Sequence, residues 1–211
     1  MKRNKGCFPK MAAILNENKV GKAELKRFVI TDNDFCAKLQ GIPCGEYMSL
    51  LYNNCLLMSD TPMERRTNMR LLTEANGDVL IAGLGLGMIL FPLEEDDAVK
   101  SITVIEKSTE IIELVWSQIK HHFKKVRVIN ADIFEWSPRK KDREGKPYFN
   151  KGFKFDTIYF DIWPYVNSDI YEEMKQLKVK YRPYLKTRQE NEHSNMNCWA
   201  ESYARYNRPL Y

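Results

Sequence analysis

The chain of 211 residues is 44% hydrophobic and 29% charged, and it carries a formal net charge of +5. This composition indicates one packed core with appendages, or at most two small domains. A membrane span is excluded, because no run of about 18 apolar residues occurs. The apolar stretch at residues 11–15 is too short for a signal peptide, so we expect a cytoplasmic protein.

Five cysteines are spread along the chain without a C-x-x-C pair, and no histidine lies at ligand spacing from them. We therefore expect reduced and mostly buried thiols, and no metal site. The five are Cys7, Cys36, Cys44, Cys55 and Cys198.

Basic residues concentrate in residues 139–146 and 175–188, and Arg205 and Arg208 follow near the end. Clusters of this kind favour a nucleic-acid partner when they share one surface. A solvated helix face and a charged loop give the same pattern, so the sequence leaves both interpretations open.

The first predicted elements belong to an N-terminal extension over residues 1–60. Residues 28–30 predict a short strand. Residues 46–51 and 55–58 predict a β-hairpin, because Asn53-Asn54 between them tolerates positive φ angles.

A helix is predicted directly after the hairpin. Thr61, Pro62 and Glu64 have the spacing of a capping box, with proline at the first helical position. The helix is expected to end before Asn76-Gly77. It opens a second unit, residues 61–211.

Within that unit, apolar strands alternate with helical patterns and end in a helical C-terminal segment. The predicted strands are residues 78–82, 101–105, 126–129 and 155–160. Such alternation is typical of an α/β fold with a parallel sheet and helices on both faces. Right-handed crossovers then bring the carboxyl ends of all four strands to one edge.

Glycines and acids follow these strands in order. Gly83, Gly85 and Gly87 follow the first strand, where a tight turn and a close backbone approach to a ligand favour glycine. Glu106 ends the second strand, where a carboxylate can accept hydrogen bonds from a ribose diol. Asp132 follows the third strand, within reach of an adenine amine.

The segments DVLIAGLGLG, ITVIEKS, VRVINADIFEW and FDTIYFDIWP together resemble the first four motifs of class I S-adenosylmethionine-dependent methyltransferases. The resemblance covers roughly residues 75–165. It implies a Rossmann-like fold with S-adenosylmethionine as cofactor. It also implies that Gly83, Gly85 and Gly87 contact the methionine part, that Glu106 holds the ribose, and that Asp132 meets adenine.

Two other families share parts of this pattern. A nicotinamide-dependent dehydrogenase would carry G-x-G-x-x-G/A, but here Met88 stands at the last of those positions. The hairpin and LLYNNCLLMSDTPMERR resemble the entry to spermidine synthases. The glycine loop lacks the acid of those enzymes, and Pro164 replaces their second fourth-strand aspartate. The layout also resembles small methyltransferase-like proteins, some of them encoded by bacteriophages.

The string from Asp161 to Tyr165 loosely resembles the D-P-P-Y motif of amino-methyltransferases that act on nucleobases. The resemblance implies that Asp161 orients the acceptor amine or accepts its proton. It also implies that Trp163 or Tyr165 stacks on the acceptor, and the alternative is that both rings only cover the core.

The sheet is expected to be truncated at its carboxyl-terminal side relative to the usual seven strands of this fold, because no long strand is evident after Asp161. An exposed edge strand is normally covered, so we expect a homo-oligomer or a covering C-terminal segment. Three functional hypotheses follow: a methyltransferase acting on an amine or nucleobase, a non-catalytic binding or assembly protein of the same fold, and a spermidine synthase-like aminopropyltransferase.

Overall fold

The computed structural model describes residues 8–206 and shows an α/β protein with two sheets. The strands are β1 Asn18–Val20, β2 Ala23–Ile30, β3 Gly45–Tyr52, β4 Cys55–Ser59, β5 Gly77–Ala82, β6 Val99–Glu106, β7 Val126–Asn130, β8 Thr157–Phe160 and β9 Asn195–Cys198. The α-helices are α1 Phe35–Leu39, α2 Pro62–Glu74, α3 Leu90–Glu95, α4 Thr109–Ile111, α5 Ser117–Ile119, α6 Asp169–Tyr181 and α7 Glu201–Tyr206. A π-helical segment, Ile112–Trp116, joins α4 to α5. In the described range, no helix is long and apolar enough to cross a bilayer.

The N-terminal sheet is larger than the predicted hairpin. It is antiparallel throughout, in the order β1-β2-β3-β4. The hairpin itself is confirmed: Asn53 and Asn54 have φ angles of 51° and 61°, as a two-residue turn requires. The strand predicted at residues 28–30 is the end of the longer β2, which alternates between buried and exposed positions.

A buried aspartate fixes this sheet to the preceding segment. The Asp60 side chain has no solvent exposure and accepts hydrogen bonds from the backbone N–H groups of Met11, Ala12 and Met48, at 2.7, 3.3 and 2.7 Å. Three backbone donors satisfy a carboxylate that burial would otherwise destabilise. The chain therefore enters α2 from a fixed position.

The second sheet is parallel, in the order β7-β6-β5-β8-β9. The chain starts at the central strand β5, moves outward through β6 and β7, and then crosses to β8 and β9. The strand order therefore changes direction beside β5, and open α/β sheets bind ligands at the carboxyl end of such a switch point.

Helices cover both faces of this sheet, as the sequence predicts. Along β5, Val79 and Ile81 belong to one apolar cluster, whereas Leu80 and Ala82 belong to the other. The first cluster includes residues of α2, α3 and α5 as well as the N-terminal sheet, and the second includes residues of α6 and α7. This period of two is the pattern of a strand buried on both sides.

The parallel sheet has five strands, so the expected truncation relative to seven strands is confirmed. The fifth strand, β9, is absent from the elements that the sequence predicts. Its sequence, Asn-Met-Asn-Cys, is short and half polar, and asparagine is disfavoured in strands. Tertiary context orders it: the backbone N–H of Asn195 donates to the carbonyl of Asp156, and that of Trp199 to the carbonyl of Phe160.

Two local predictions are wrong. Thr61 precedes α2, but its hydroxyl pairs with that of Ser59 at 3.1 Å and makes no capping hydrogen bond to the helix, so the capping box is not formed. The thiols are not mostly buried: Cys36, Cys44 and Cys55 are exposed, Cys198 is buried, and Cys7 lies outside the described residues. The exposed thiols lie on the N-terminal extension, away from the cores of the parallel sheet.

Candidate functional site

A cavity of about 1060 Å³ lies at the carboxyl ends of β5, β6 and β8, between the parallel sheet and the N-terminal hairpin. It is lined by seven of the eight predicted site residues. These are Gly83, Gly85, Glu106, Asp132, Asp161, Trp163 and Tyr165. The eighth, Gly87, lies outside its lining. The spacing of glycines and acids along the chain therefore translates into one shared edge in space.

The three glycines have positive φ angles, but they face different neighbours. At Gly83, with φ 96°, a β-carbon would overlap the backbone carbonyl oxygen of Asp161. At Gly85, with φ 52°, it would overlap the sulfur of Met58 from the hairpin. At Gly87, with φ 70°, it would overlap the side chain of Ile119. The three glycines thus allow close packing of the loop, at Gly83 against the chain after β8, at Gly85 against the hairpin and at Gly87 against α5.

Glu106 ends β6 with its side chain nearly buried, at 8% exposure. One carboxylate oxygen accepts from the Leu84 backbone N–H at 2.9 Å, and the other from the Ser108 N–H at 2.8 Å. Burial raises the pKa of Glu106, and the backbone hydrogen bonds oppose that rise. Each carboxylate oxygen has a second lone pair, so the group can still accept two hydrogen bonds from a diol in the cavity.

Asp132 lies at the same edge, next to Lys107. Its Oδ2 is 2.7 Å from the Lys107 ammonium, and its Oδ1 accepts from the Phe134 backbone N–H at 2.9 Å. Burial alone would raise the pKa of Asp132, but the hydrogen bonds from Lys107 and Phe134 hold it below its usual value. Both acids of this end of the cavity are therefore already oriented by hydrogen bonds from their neighbours.

Asp161 follows β8 and lies on the cavity wall, where removal from water raises its pKa to about 7. Its backbone N–H donates to the Ala82 carbonyl at 2.9 Å, which fixes its main chain beside the glycine loop. Among the described residues, no hydrogen bond or ion pair reaches its carboxylate. A carboxyl group with a pKa near neutrality can take up a proton and release it again.

Glu64 is a cavity residue that the sequence analysis did not place in the site. It lies in the first turn of α2, is 7% exposed, and lines the cavity. Burial, followed by the negative charge of Asp161, raises the pKa of Glu64 to about 8. The capping-box pattern assigned Glu64 to helix initiation. The sequence signal for a role of Glu64 in the site is its position immediately after the hairpin, which covers the strand ends.

A chain of hydrogen bonds connects α2 to β8 behind these two acids. The Tyr159 hydroxyl donates to the Asn68 amide oxygen at 3.2 Å, and the Asn68 amide donates to the Glu64 carbonyl at 3.1 Å. Asn68 is 2% exposed and Tyr159 is 2% exposed, so the connection is dry. The helix and the strand that carry Glu64 and Asp161 are therefore held in one arrangement.

The two aromatic residues predicted to contact an acceptor differ in their surroundings. Trp163 is 7% exposed, packs in the apolar cluster with α6, and donates from Nε1 to Glu173 at 2.7 Å. Tyr165 is 60% exposed at the cavity rim. Trp163 therefore combines core packing with a place on the cavity wall, and Tyr165 is free to contact a molecule that enters.

The hairpin closes the cavity over the glycine loop. The Leu86 backbone N–H lies 3.2 Å from the Met58 sulfur, a weak hydrogen bond from the loop to β4. Leu57 and Met63 line the cavity beside it. The N-terminal extension thus forms one wall of the cavity.

A second cleft, of about 1210 Å³, lies near the amino ends of β8 and β9. Its basic residues are largely paired: Lys154 with Glu190, and Lys186 with Asp156. The carboxyl-end cavity is the better candidate although it is smaller, because it is more enclosed by apolar walls and contains the acids at the strand ends. Across residues 8–206, no group of three His, Cys, Asp or Glu side chains is arranged to hold a metal ion.

The five-stranded order with β5 at the centre, the glycine loop after β5 and the acid at the end of β6 define a Rossmann-like methyltransferase fold. No protein-family model matches the chain, and no curated protein sequence matches it.

Comparison with solved structures gives similarity of fold at low identity. Spermidine synthase from Thermotoga maritima has 16% identity and a TM-score of 0.45, over 75% of this chain and 50% of that one. N-methyltransferase NodS from Bradyrhizobium japonicum has 21% identity and a TM-score of 0.40, over 58% of this chain and 64% of that one. An S-adenosylmethionine-dependent methyltransferase from Clostridium acetobutylicum has 17% identity and a TM-score of 0.36, over 59% of this chain and 46% of that one. The chain therefore spans less than two thirds of the length of each of these structures.

Proposed function

We propose that this chain binds S-adenosylmethionine at the carboxyl ends of β5, β6 and β7 and transfers its methyl group to an amine or a nucleobase. The observation that carries the proposal is that Gly83 and Gly85 of the glycine loop, Glu106, Asp132 and Asp161 line one cavity. The volume of about 1060 Å³ is sufficient for a nucleoside and a small acceptor together.

The hydrogen-bond acceptors at one end of the cavity fit an adenosine. Glu106 is held by two backbone N–H groups and keeps lone pairs for a ribose diol. Asp132 is held by Lys107 and the Phe134 N–H, at the place proposed for the adenine amine. Gly85, which we place beside the methionine part, allows the Met58 sulfur to pack directly against the main chain of the loop.

The chemistry supplied by bound S-adenosylmethionine is an electrophilic methyl group on a sulfonium. The contribution of the chain is orientation, exclusion of water and management of one proton. Asp161, with a pKa of about 7, can accept a proton from an acceptor amine at its unpartnered carboxylate. The hairpin over the glycine loop and the wall formed by Trp163 restrict access of water.

The test is calorimetric titration of the wild-type chain with S-adenosylmethionine, S-adenosylhomocysteine and decarboxylated S-adenosylmethionine. We expect S-adenosylmethionine and S-adenosylhomocysteine, which both carry the amino acid group, to bind at one site per chain. Preference for the decarboxylated compound would instead establish the aminopropyltransferase alternative. Failure of all three to bind would leave a non-catalytic assembly protein and would overturn the proposal.

Binding must also depend on the proposed residues. The substitutions Glu106→Ala and Asp132→Ala, made together, should abolish detectable binding, because the ribose and adenine would each lose their acidic partner. Full retention of binding by this double variant would show that the adenosine lies elsewhere. The exposed surface acid Glu113, outside the cavity lining, provides the charge-matched control Glu113→Gln.

A further inference from the structure

The charge of the cavity is opposite to that of the chain. Six acidic side chains and one lysine line it, although the whole chain has a formal net charge of +5. The six acids are Glu64, Glu106, Glu110, Asp132, Asp161 and Glu173. An enclosed acidic cavity focuses a negative potential, which attracts cations and repels the phosphates of a nucleic acid.

Four of the six acids already have specific partners within the protein. Glu106 accepts from two backbone N–H groups, and Asp132 pairs with Lys107. Glu110 accepts from the Ser108 hydroxyl at 2.9 Å and the Tyr52 hydroxyl at 3.2 Å. Glu173 accepts from the Trp163 indole. Each of these four acids therefore already has a hydrogen-bond donor or an ion-pair partner within the protein.

Glu64 and Asp161 are different. The Asp161 carboxylate has no hydrogen-bond or ion-pair partner in the described range, and the Glu64 carboxylate has a hydrogen bond from the backbone of Ser59 but no ion pair there. Glu64 is only 7% exposed. Among residues 8–206, the one cationic side chain in the cavity lining is Lys107, and it is paired with Asp132. Two neighbouring acids, of which Glu64 is buried and Asp161 is partly buried, are costly to ionise together unless a ligand supplies a counterion.

A separate observation concerns an unpaired hydrogen-bond donor in the same cavity. Trp199 is 5% exposed and lines the cavity, and its indole N–H has no acceptor among the described residues. Buried indole donors normally find a partner. The aromatic residues Tyr159, Trp163 and Trp199 line the same cavity as the two acids, and aromatic rings are the side chains with which proteins hold organic cations.

We propose that Glu64 and Asp161 together form the acceptor site and that the acceptor is a cationic amine rather than a nucleobase. This inference rests on the proposed function, since it assigns the substrate class of the same cavity. An ammonium group between the carboxylates is attracted to both of them. A neutral nucleobase gains no such attraction, and the phosphates of its strand meet the acidic rim. Glu64 binds and positions the ammonium, and Asp161 accepts a proton from it before methyl transfer, so that the neutral nitrogen becomes the nucleophile.

The experiment uses matched pairs of amine and alcohol, titrated into the chain saturated with S-adenosylhomocysteine. The pairs are n-butylamine with n-butanol and benzylamine with benzyl alcohol. We expect each amine to bind at least tenfold more tightly than its alcohol. Glu64→Gln, which preserves the shape of the side chain, should weaken amine binding at least tenfold while the affinity for S-adenosylhomocysteine changes less than twofold. Asp161→Asn should weaken amine binding in the same way, and Glu113→Gln should leave it unchanged.

The outcomes separate the inference from the function on which it rests. If S-adenosylhomocysteine binds but amine and alcohol bind equally, or neither binds, the amine inference is wrong and the proposed cofactor site stands. Tighter binding of an adenine-containing oligonucleotide than of either amine would establish the nucleobase acceptor instead. If S-adenosylhomocysteine itself does not bind, the proposed function fails, and the inference fails with it. Circular dichroism of each variant confirms that the fold is kept.

Discussion

The two ends of the cavity use acidic side chains in opposite ways. At the proposed adenosine end, backbone N–H groups and Lys107 donate hydrogen bonds to Glu106 and Asp132, and these hydrogen bonds oppose the rise in pKa that burial causes. At the proposed acceptor end, desolvation raises the pKa of Glu64 to about 8 and that of Asp161 to about 7, and no cation pairs with either acid among the described residues. The first end is arranged to accept hydrogen bonds, and the second is arranged to exchange protons and to attract positive charge.

The largest expected effect concerns the point at which the two ends meet. Gly83 has φ 96°, and a β-carbon there would overlap the backbone of Asp161. We expect Gly83→Ala to destabilise the chain by about 3 kcal/mol or more, because both the conformation and the main-chain contact are lost. Urea denaturation measures this effect. Gly145→Ala is the control: Gly145 has φ 80° but no neighbour within 4 Å, so its cost should be about 1 kcal/mol. Equal costs would contradict the close contact.

The next effect tests the adenosine end. Glu106→Gln keeps the size of the side chain but removes the charge that strengthens hydrogen bonds to a diol. We expect the affinity for S-adenosylmethionine to fall roughly 10- to 100-fold, as loss of a charge-assisted hydrogen-bond pair predicts. Calorimetry measures the change, and S-adenosylhomocysteine should show the same loss because both ligands contain the ribose. An unchanged affinity for both would remove Glu106 from the site.

The acceptor end should show the reverse: removal of an acid should stabilise the free protein. Glu64 has an ordinary pKa of 4.5 when unfolded and a pKa of about 8 when folded, so the stability associated with its protonated form is lost as the pH rises through this range. Glu64→Gln should therefore stabilise the chain by roughly 2 kcal/mol at pH 9 and have little effect at pH 4. Denaturation at both pH values measures this difference. Destabilisation at pH 9 would mean that Glu64 has a partner.

The smallest effect is expected at the partly exposed end of the adenosine subsite. Asp132 is 23% exposed and is paired with the largely exposed Lys107. Asp132→Asn should reduce stability by less than about 1 kcal/mol, because such surface pairs contribute little. The affinity for S-adenosylmethionine should fall less than about fivefold, since the amide oxygen can still accept a hydrogen bond. A loss as large as that for Glu106→Gln would make the two acids equivalent and would contradict this order.

The sequence predicted most of the parallel sheet and the meeting of its glycines and acids at one edge, because both depend on local signals. Apolar strands followed by Gly83, Glu106 or Asp132 place these residues at one edge by topology alone. The alternation of Val79 and Leu80 between two cores follows from the same pattern.

The acceptor end could not be predicted in the same way, because it depends on contacts between distant segments. Glu64 reaches the cavity only because the hairpin and α2 fold over the strand ends, and Trp199 only because the short strand β9 pairs with β8. The helix-start pattern around Thr61 gave Glu64 a sufficient local explanation, although the structure shows no capping box. Long-range packing, rather than propensity, decides these positions.

The central claim is that one nucleoside occupies the edge between Glu106 and Asp132. The most direct measurement is a crystal structure of the chain grown with S-adenosylhomocysteine. We predict density for the ribose diol on the Glu106 carboxylate, for adenine beside Asp132, and for the homocysteine part along Gly85. Density for the ligand in the cleft near the amino ends of β8 and β9, or an empty cavity at saturating ligand, would contradict the claim.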